Sequence, residues 1–452
     1  MSYRKLWLTW VIVLCCHAAS RAQDQPLRLE QAIELAQKNY PAIRAARAAQ
    51  QAAEANVELT RVNLTLPRTE LLAQENRSSR NNVFGVLLPQ STLPAISGPD
   101  LGERTARTTW GSAVGLLVSW EPFDFGLRQS QINLAQATSK QAKAQAELSE
   151  FEATIAATDA FLAAVAAEQA VRVTRANLDR QETFTQAVKA LADNQLRPGS
   201  DLARATVDVV TAKNYVIQAE QQAALARIAL SEWIGQPGDI KQIDHGPLLE
   251  FTPAPAPVEN KTLGAHPLAM AQTAALDVVR ARQTTLDKSF FPKFNWQSAV
   301  FGRGTGARLD GTFRESRGFY PDTFNYATGF TMTWNVSDWF KLKAQRKVEG
   351  FNLAAEQARY DQVVNTLKAQ EARAKTMIET ARQIAANTPA QVNAASDTLK
   401  LAKVRYEHGL TNITEIADAQ RTLAQAEIDE AVARLNVWRA TASSISACAS
   451  VR

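Results

Sequence analysis

The feature that most constrains this chain is an internal duplication, in which one series of segments occurs twice. Pro41 opens an alanine- and glutamine-rich segment that ends at Pro67, and Pro267 opens a similar segment that ends at Pro292. After each second proline come a β-like segment, a tryptophan-rich stop and a long helical stretch. Parts that repeat in order after about 225 residues predict one supersecondary unit used twice.

Each copy is predicted to contain a helix, two strands and two further helices. The copies span residues 23–235 and 264–445. Residues 236–263 carry five prolines and are expected to form a linker, and residues 446–452 form a C-terminal tail. The strands are expected at about 68–80, 108–121, 293–303 and 323–336.

The helical stretches are unusually long. Residues 127–194 lack proline and glycine and would extend roughly 100 Å as one helix. Residues 341–408 carry one glycine, Gly350, and one proline, Pro389, and such residues can break or kink a helix. Apolar residues recur every seven positions in 201–233, which predicts a left-handed coiled-coil seam. These seam residues are Leu202, Val209, Val216, Ala223 and Leu230. Taken alone, the helices fit a soluble helical bundle equally well.

The N-terminus has the pattern of a secretory signal peptide over residues 1–22. Arg4 and Lys5 precede an apolar run of eleven residues, and small residues favour cleavage after Ala22. Cleavage removes three of the 50 basic residues and none of the 45 acidic ones, so the basic pI does not indicate nucleic-acid binding. It also leaves Cys448 as the one cysteine, which excludes an intramolecular disulfide.

No run of eighteen apolar residues follows the signal, so no transmembrane helix is expected. An exported protein without such a helix can span a membrane only through β-strands. The predicted strands fit that role because large apolar residues alternate with small or polar ones. One face carries Phe324, Tyr326, Phe330, Met332 and Trp334 in the last strand, and Trp110, Val114, Leu116, Val118 and Trp120 in the second. Leu117 is an exception on the polar face.

Five of the seven tryptophans outside the signal lie in or beside these strands. Amphipathic aromatic residues at strand ends are typical of a membrane interface. The predicted interface residues are Trp110, Trp120, Trp296, Trp334 and Trp339. A sheet packed on a soluble core would also alternate, although four strands separated by such long helices make a poor sandwich. Residues 80–107 and 303–322, rich in glycine and proline, are expected to form outer loops.

This order of parts resembles the TolC-like outer-membrane efflux protein family over about residues 27–445. The resemblance implies an α+β membrane protein with long coiled-coil helical hairpins and four transmembrane strands per chain. Three chains would close a trimeric 12-stranded β-barrel, continued by a periplasmic α-barrel. Physical reasoning agrees, because four strands leave two open edges in lipid and a threefold ring closes them.

The resemblance also implies the function. The protein would be a passive exit duct in the bacterial outer membrane, serving a tripartite efflux or type I secretion system. Its partners would be a membrane-fusion adaptor and an inner-membrane transporter. Gly199 and Gly409 are expected to form the turns at the hairpin tips, where the adaptor binds. The predicted contact residues are Pro198, Gly199, Ser200, Gly409, Leu410 and Thr411.

A periplasmic gate is expected just beyond the second tip. Glu415 and Asp418 lie three residues apart on one helix face, and threefold symmetry would form rings of carboxylates that favour cations. Family members carry acids at these offsets, and Tyr406 matches a family gate tyrosine. Thr411 stands where the family has a basic partner, which puts the latch of the closed state in question. Glu415 and Asp418 also fit an ordinary solvated helix face, and Asp201 and Asp208 do not reproduce their offsets.

No enzyme chemistry or cofactor is predicted. His245, His266 and His408 do not pair at metal-ligand spacing, and no catalytic motif is present. Two other functions agree with the sequence less well. A periplasmic coiled-coil adaptor would carry one helical hairpin rather than two, and a structural bundle protein would not need alternating aromatic strands.

Overall fold

The computed structural model describes residues 26–79, 106–238, 240, 242–249, 263–306, 310, 312 and 314–447. The predicted signal peptide, Cys448, most of the 80–107 loop and most of the 236–263 linker lie outside these residues. The described α-helices and strands follow the order helical segment, strand pair, helix pair, twice over, and the first helical segment comprises two helices. They are α1 (Leu29–Asn39), α2 (Pro41–Thr65), β1 (Arg68–Ser79), β2 (Thr108–Phe123), α3 (Leu127–Asp193), α4 (Gly199–Trp233), α5 (Pro267–Lys288), β3 (Lys293–Thr305), β4 (Thr323–Thr333), α6 (Asp338–Glu407) and α7 (Ile413–Ala447).

The repeated prolines begin α2 and α5. Proline suits the first helical position because the N–H it lacks would have no partner there. The preceding His266 satisfies one free N–H at the start of α5, since its Nδ1 accepts from the Leu268 amide at 3.1 Å. Its Nε2 therefore carries the proton and donates to the Ser446 carbonyl at 3.0 Å. Burial lowers the pKa of His266, against the Ser446 bond that raises it, so this neutral histidine has a structural role.

The chain forms two compact units, and neither is continuous in sequence. One comprises Met1–Ala49, Lys143–Gln272 and Arg359–Arg452, and the other comprises Gln50–Ala142 and Thr273–Ala358. Each unit therefore takes segments from both sequence repeats. The first is helical in its described part, and the second contains the sheet.

Helices of the first unit pack along seams of small and branched residues. On α4 the buried positions include Val216, Ala223 and Leu230, which keep the seven-residue spacing. Ala205 and Ala212 are buried beside them. A seam this rich in alanine lets helix backbones approach closely.

Proline does not interrupt α6, although the sequence favours a break there. Pro389 lies inside a helix that runs from Asp338 to Glu407. It lacks the N–H that would bond the Ala385 carbonyl four residues earlier. The Thr388 hydroxyl donates to that same oxygen at 3.3 Å and replaces the missing donor.

The second unit contains one antiparallel sheet in the order β1-β2-β3-β4. One face is apolar and exposed, with Leu71 78% and Tyr326 83% accessible. On the other face, Leu117 packs with Ala299 and Phe301, which accounts for its departure from the polar pattern. The sheet thus places large apolar side chains outward and keeps a small apolar contact on its inner face.

One helix in the described part of the chain is long and apolar enough to cross a membrane. Helix α3 contains an 18-residue window with a mean hydropathy of 1.2 that is 33% buried. The sequence contains no unbroken run of eighteen apolar residues after the signal, so no such helix is expected from it. Because a core helix meets the same criterion, this single window is weak support for a helical span.

Close packing across the sheet makes Gly115 intolerant of a side chain. A Cβ there would lie 2.8 Å from the Phe301 Cβ. We expect Gly115→Ala to lower the free energy of unfolding by about 1–3 kcal/mol. The matched control is Gly350→Ala on α6, where a Cβ meets nothing within 4 Å and helix propensity favours alanine. Thermal unfolding of the detergent-solubilised protein measures both, and equal midpoints for the two variants would contradict this packing.

Candidate functional site

Two helical hairpins of the first unit, α3–α4 and α6–α7, end in the same type of turn. After α3, the Gln195 amide donates to the Ala192 carbonyl and the Leu196 amide to the Leu191 carbonyl, both at 2.9 Å. After α6, the Gly409 amide donates to Tyr406 at 2.9 Å and the Leu410 amide to Arg405 at 2.8 Å. This pair of bonds defines a Schellman motif.

The left-handed residues of these turns are Gln195, with φ +58°, and Gly409, with φ +75°. The expectation that Gly199 makes the first turn is therefore wrong. Gly199 is the first residue of α4, and a Cβ there would meet nothing within 4 Å. Glutamine accepts the left-handed conformation at a cost of roughly 1–2 kcal/mol, so the first turn needs no glycine.

The turns change the alignment of the two tips by four residues. Gln195, not Gly199, corresponds to Gly409, and Gly199 corresponds to Ile413 because each begins the second helix of its hairpin. In the corrected alignment Arg197 takes the place of Thr411, and Asp201 takes the place of Glu415. The basic residue missing from the second tip is therefore present on the first.

Tyr406 joins the two tips. Its side chain is 1% exposed, and its hydroxyl donates to Asp201 Oδ2 at 3.0 Å. The Arg197 guanidinium lies 4.3 Å from the centre of the ring and donates to the Tyr406 backbone carbonyl. That carbonyl belongs to the last turn of α6, where a cation is favourable. One buried ring thus contacts both an acid and a base of the other hairpin.

The surroundings of Tyr406 hold its hydroxyl in the protonated form. Burial raises its pKa to about 12, aided by the bond to Asp201 and the charge of that carboxylate, whereas Arg197 opposes the shift. An apolar cluster surrounds the ring, including Phe184 at 5.7 Å between ring centres. The phenol therefore remains a hydrogen-bond donor at physiological pH.

Glu415 is held within its own hairpin. Its Oε1 accepts from Arg405 Nη1 at 2.9 Å, and its Oε2 accepts from the Thr411 hydroxyl. Its backbone amide donates to the side chain of Asn412 at 3.3 Å, which caps α7. Thr411, which stands where the resemblance implies a basic residue, thus positions the acid it precedes.

Asp418 lies one turn further along α7 and is also paired. Its Oδ1 accepts from Arg421 Nη2 at 2.7 Å. On α4, burial raises the pKa of Asp208, and the charge of Asp418 adds to the shift, while Arg204 and Arg421 oppose it. Asp208 and Asp418 therefore affect each other electrostatically across the two hairpins.

The sequence predicted Tyr406, Glu415 and Asp418 as gate residues, a role that stays a prediction, but it assigned no role to Arg197 and gave Asp201 low weight. The structure brings Asp201, Arg197 and Tyr406 into one cluster. The sequence itself contains a signal for Asp201. Aligning the helix starts, Gly199-Ser200-Asp201 with Ile413-Thr414-Glu415, would have matched Asp201 to Glu415.

The predicted interface tryptophans lie at both ends of the sheet. Trp120 and Trp296 pair directly across β2 and β3. At the same end, the Trp334 indole donates to the Phe290 carbonyl at 3.1 Å, and Trp339 packs on the Phe290 ring. At the other end, Trp110 packs against Phe319. A membrane-interface role for these residues stays a prediction.

Within the described residues, no group of three or more His, Cys, Asp and Glu side chains could hold a metal ion. The site is instead a set of ion pairs and hydrogen bonds between helices. Such contacts can hold or release two hairpins.

The sequence matches the model of the outer membrane efflux protein family over residues 32–236 and 260–443. The chain belongs to this family. The match covers both repeats and both tips, and it favours the efflux-protein interpretation over an adaptor or a structural bundle. No curated protein sequence is significantly similar to the chain.

Solved structures of outer-membrane channels share the fold. VceC from Vibrio cholerae gives a TM-score of 0.76 at 15% identity, over 93% of this chain and 96% of its own. CmeC from Campylobacter jejuni gives 0.76 at 14%, over 93% and 85%. MtrE from Neisseria gonorrhoeae, solved in an open state, gives 0.71 at 21%, over 93% and 88%.

These findings confirm the fold class expected from the sequence, that of the outer-membrane efflux channels. As a family member, the protein is an outer-membrane efflux channel, the exit duct of an efflux system. Its family and these structural neighbours are channels rather than enzymes.

The two tip glycines should respond differently to a methyl group. Gly409→Ala is expected to lower the free energy of unfolding by about 1 kcal/mol, since alanine resists a positive φ. Gly199→Ala should be neutral or stabilising, because it adds helix propensity without a clash. Thermal unfolding compares the two variants. Equal destabilisation would indicate that Gly199 and Gly409 occupy equivalent turn positions after all.

The raised pKa of Tyr406 predicts a stability change at high pH. A folded-state pKa of about 12, above the usual value of 10.0, means that the contribution is complete below pH 10 and is lost as the pH rises towards 12. The unfolding midpoint of the wild type should therefore fall more steeply between pH 10 and 12 than that of Tyr406→Phe. Parallel curves would show that Tyr406 is not held protonated.

Proposed function

We propose that this chain is one subunit of a homotrimeric, passive duct that an adaptor opens at the hairpin tips. Energy would come from an inner-membrane transporter, as expected from the sequence. The observation that carries the proposal is the cluster of Tyr406, Asp201 and Arg197, which ties one hairpin to the other. A closed duct needs such a contact, and an opened one must break it.

The sheet supports the trimer. Among the residues that the structure describes, β1 pairs with β2 and β4 pairs with β3, and no further strand lies beside either outer strand. Unpaired backbone groups are costly in lipid, and three copies joined β4 to β1 would leave none. Twelve strands closed in this way have an apolar outer surface because the exposed face of each sheet is apolar.

The tips support adaptor docking. Leu196 and Leu410 follow the left-handed residues of the two Schellman motifs, where an apolar residue usually packs back on its helix. Here they are 68% and 69% exposed. Each hairpin therefore presents an apolar leucine at its turn, which suits a helical partner. The tip residues Pro198, Gly199, Ser200, Gly409, Leu410 and Thr411 form the proposed contact surface.

Opening is a shift in population between two helix packings. In the proposed closed packing, Tyr406 would keep its contact with Phe184 and its hydrogen bond to Asp201, both of which the structure contains. An adaptor that binds the splayed tips more tightly would favour the open packing by that difference in affinity. Glu415 and Asp418 would then line the narrowest part of the passage.

Conductance in a planar bilayer tests the proposal. Tyr406→Phe removes one buried hydrogen bond worth about 1 kcal/mol, so the ratio of open to closed states should rise roughly fivefold per subunit. The matched control is Tyr215→Phe on α4, because Tyr215 is half exposed. If both variants insert and open equally often, Tyr406 does not contribute to the gate. No insertion by a folded, mature sample would contradict the channel itself.

The contribution of Arg197 has its own test. Arg197→Gln keeps a donor for the Tyr406 carbonyl but removes the charge over the ring, so open probability should rise about three- to tenfold. Arg175→Gln is the control, since Arg175 is exposed and pairs with Glu220 at 2.5 Å within the first hairpin, between α3 and α4. Equal effects of the two substitutions would show that the contact of Arg197 with the other hairpin has no special role in opening.

A further inference from the structure

We propose that Arg405 and Arg421 neutralise the acidic constriction, so that this duct passes anions nearly as readily as cations. The inference rests on the proposed function, because Glu415 and Asp418 must line the passage for their charge to matter. It departs from the carboxylate rings expected from the sequence, which would favour cations.

Glu415 does not present a free carboxylate. One of its oxygens accepts from Arg405 at 2.9 Å, and the other accepts from the Thr411 hydroxyl. Arg405 lies in the last turn of α6 and Glu415 in the first turn of α7. Each side chain has the charge that the nearby helix dipole favours. The dipoles therefore stabilise this arrangement in addition to the attraction between the two charges. In a trimer, each glutamate of the ring would bring its own arginine.

Asp418 is compensated in the same way. Arg421 lies three residues later on the same face of α7, and its guanidinium is 2.7 Å from the carboxylate. Both side chains are more than half exposed, so the pair adds little stability. Its effect on the passage does not depend on stability, because the two charges remain within one turn whether or not they touch.

The other hairpin also brings charges of both signs close to this region. Asp201 and Arg197 both contact Tyr406. Arg204 and Arg421 act electrostatically on Asp208, together with Asp418. Asp208 and Asp418 thus lie within electrostatic reach of Arg204 and Arg421.

A balanced ring has a different selectivity from a bare one. Three uncompensated carboxylates at a constriction would attract cations and repel anions over about 8–10 Å. Alternating charges cancel over that distance and leave size as the main restriction. The class of cargo that this geometry admits therefore includes organic anions and zwitterions as well as cations.

Reversal potentials in a KCl gradient, with K⁺ and Cl⁻ as the probes, measure the selectivity directly. The wild type should show a permeability ratio for K⁺ over Cl⁻ close to one. Arg405→Gln and Arg421→Gln should each raise the ratio roughly fivefold, because each leaves three uncompensated carboxylates per trimer. Arg280→Gln is the matched control for Arg421, since Arg280 pairs with Asp277 three residues away at 3.1 Å outside the tips.

Two further variants separate charge from structure. Arg405→Lys keeps the charge and should retain the wild-type ratio. Arg405→Gln combined with Glu415→Gln restores the balance and should return the ratio to the wild-type value, which a merely loosened tip would not do. A wild type that strongly prefers K⁺, with no increase in Arg405→Gln or Arg421→Gln, would overturn the inference while leaving the channel intact. The absence of any openings would instead contradict the proposed function.

Discussion

The unpaired edges of the four-stranded sheet are the constraint on which the rest of this protein depends. In the described part of the chain, β1 and β4 have no neighbouring strand on one side, and the apolar face of the sheet is exposed. An exposed apolar face is costly in water, and open strand edges are costly in lipid. The proposed trimer satisfies both constraints, because three copies of the sheet would close its edges and place the apolar faces in lipid.

The duplication in sequence explains how one chain supplies both strand pairs and both hairpins. The two hairpins nevertheless differ where they meet. The first tip supplies Arg197 and Asp201, and the second supplies the buried Tyr406 between them. The repeat thus gives two similar hairpins, and differences at a few tip residues create an acid–phenol–base contact between them.

Much of the fold could be predicted from the sequence because its signals are local. Alternating aromatic residues predicted β4, and the seven-residue spacing predicted the seam of α4 that contains Val216 and Leu230. Leu117 and Pro389 broke the local patterns, and each has a partner that the pattern does not show. Phe301 covers the first from the next strand, and the Thr388 hydroxyl compensates the second.

The site was less predictable for a physical reason. Gln195 adopts a positive φ although glutamine rarely does so. The sequence therefore pointed to the nearby Gly199 as the turn residue, and aligning it with Gly409 shifted the two tips by four residues. The contact between Asp201 and Tyr406 joins residues that are far apart in sequence, and no periodicity reports such a pair. The pairing of Glu415 with Arg405 likewise appears only when the end of α6 and the start of α7 are placed together.

The most direct test of this account is native mass spectrometry of the mature protein released from detergent micelles or lipid nanodiscs. The account predicts a single species of three chains, because only a closed ring satisfies the edges of β1 and β4. A folded monomer or dimer that remains stable in lipid would contradict it, since the sheet edges would then be satisfied without a trimer.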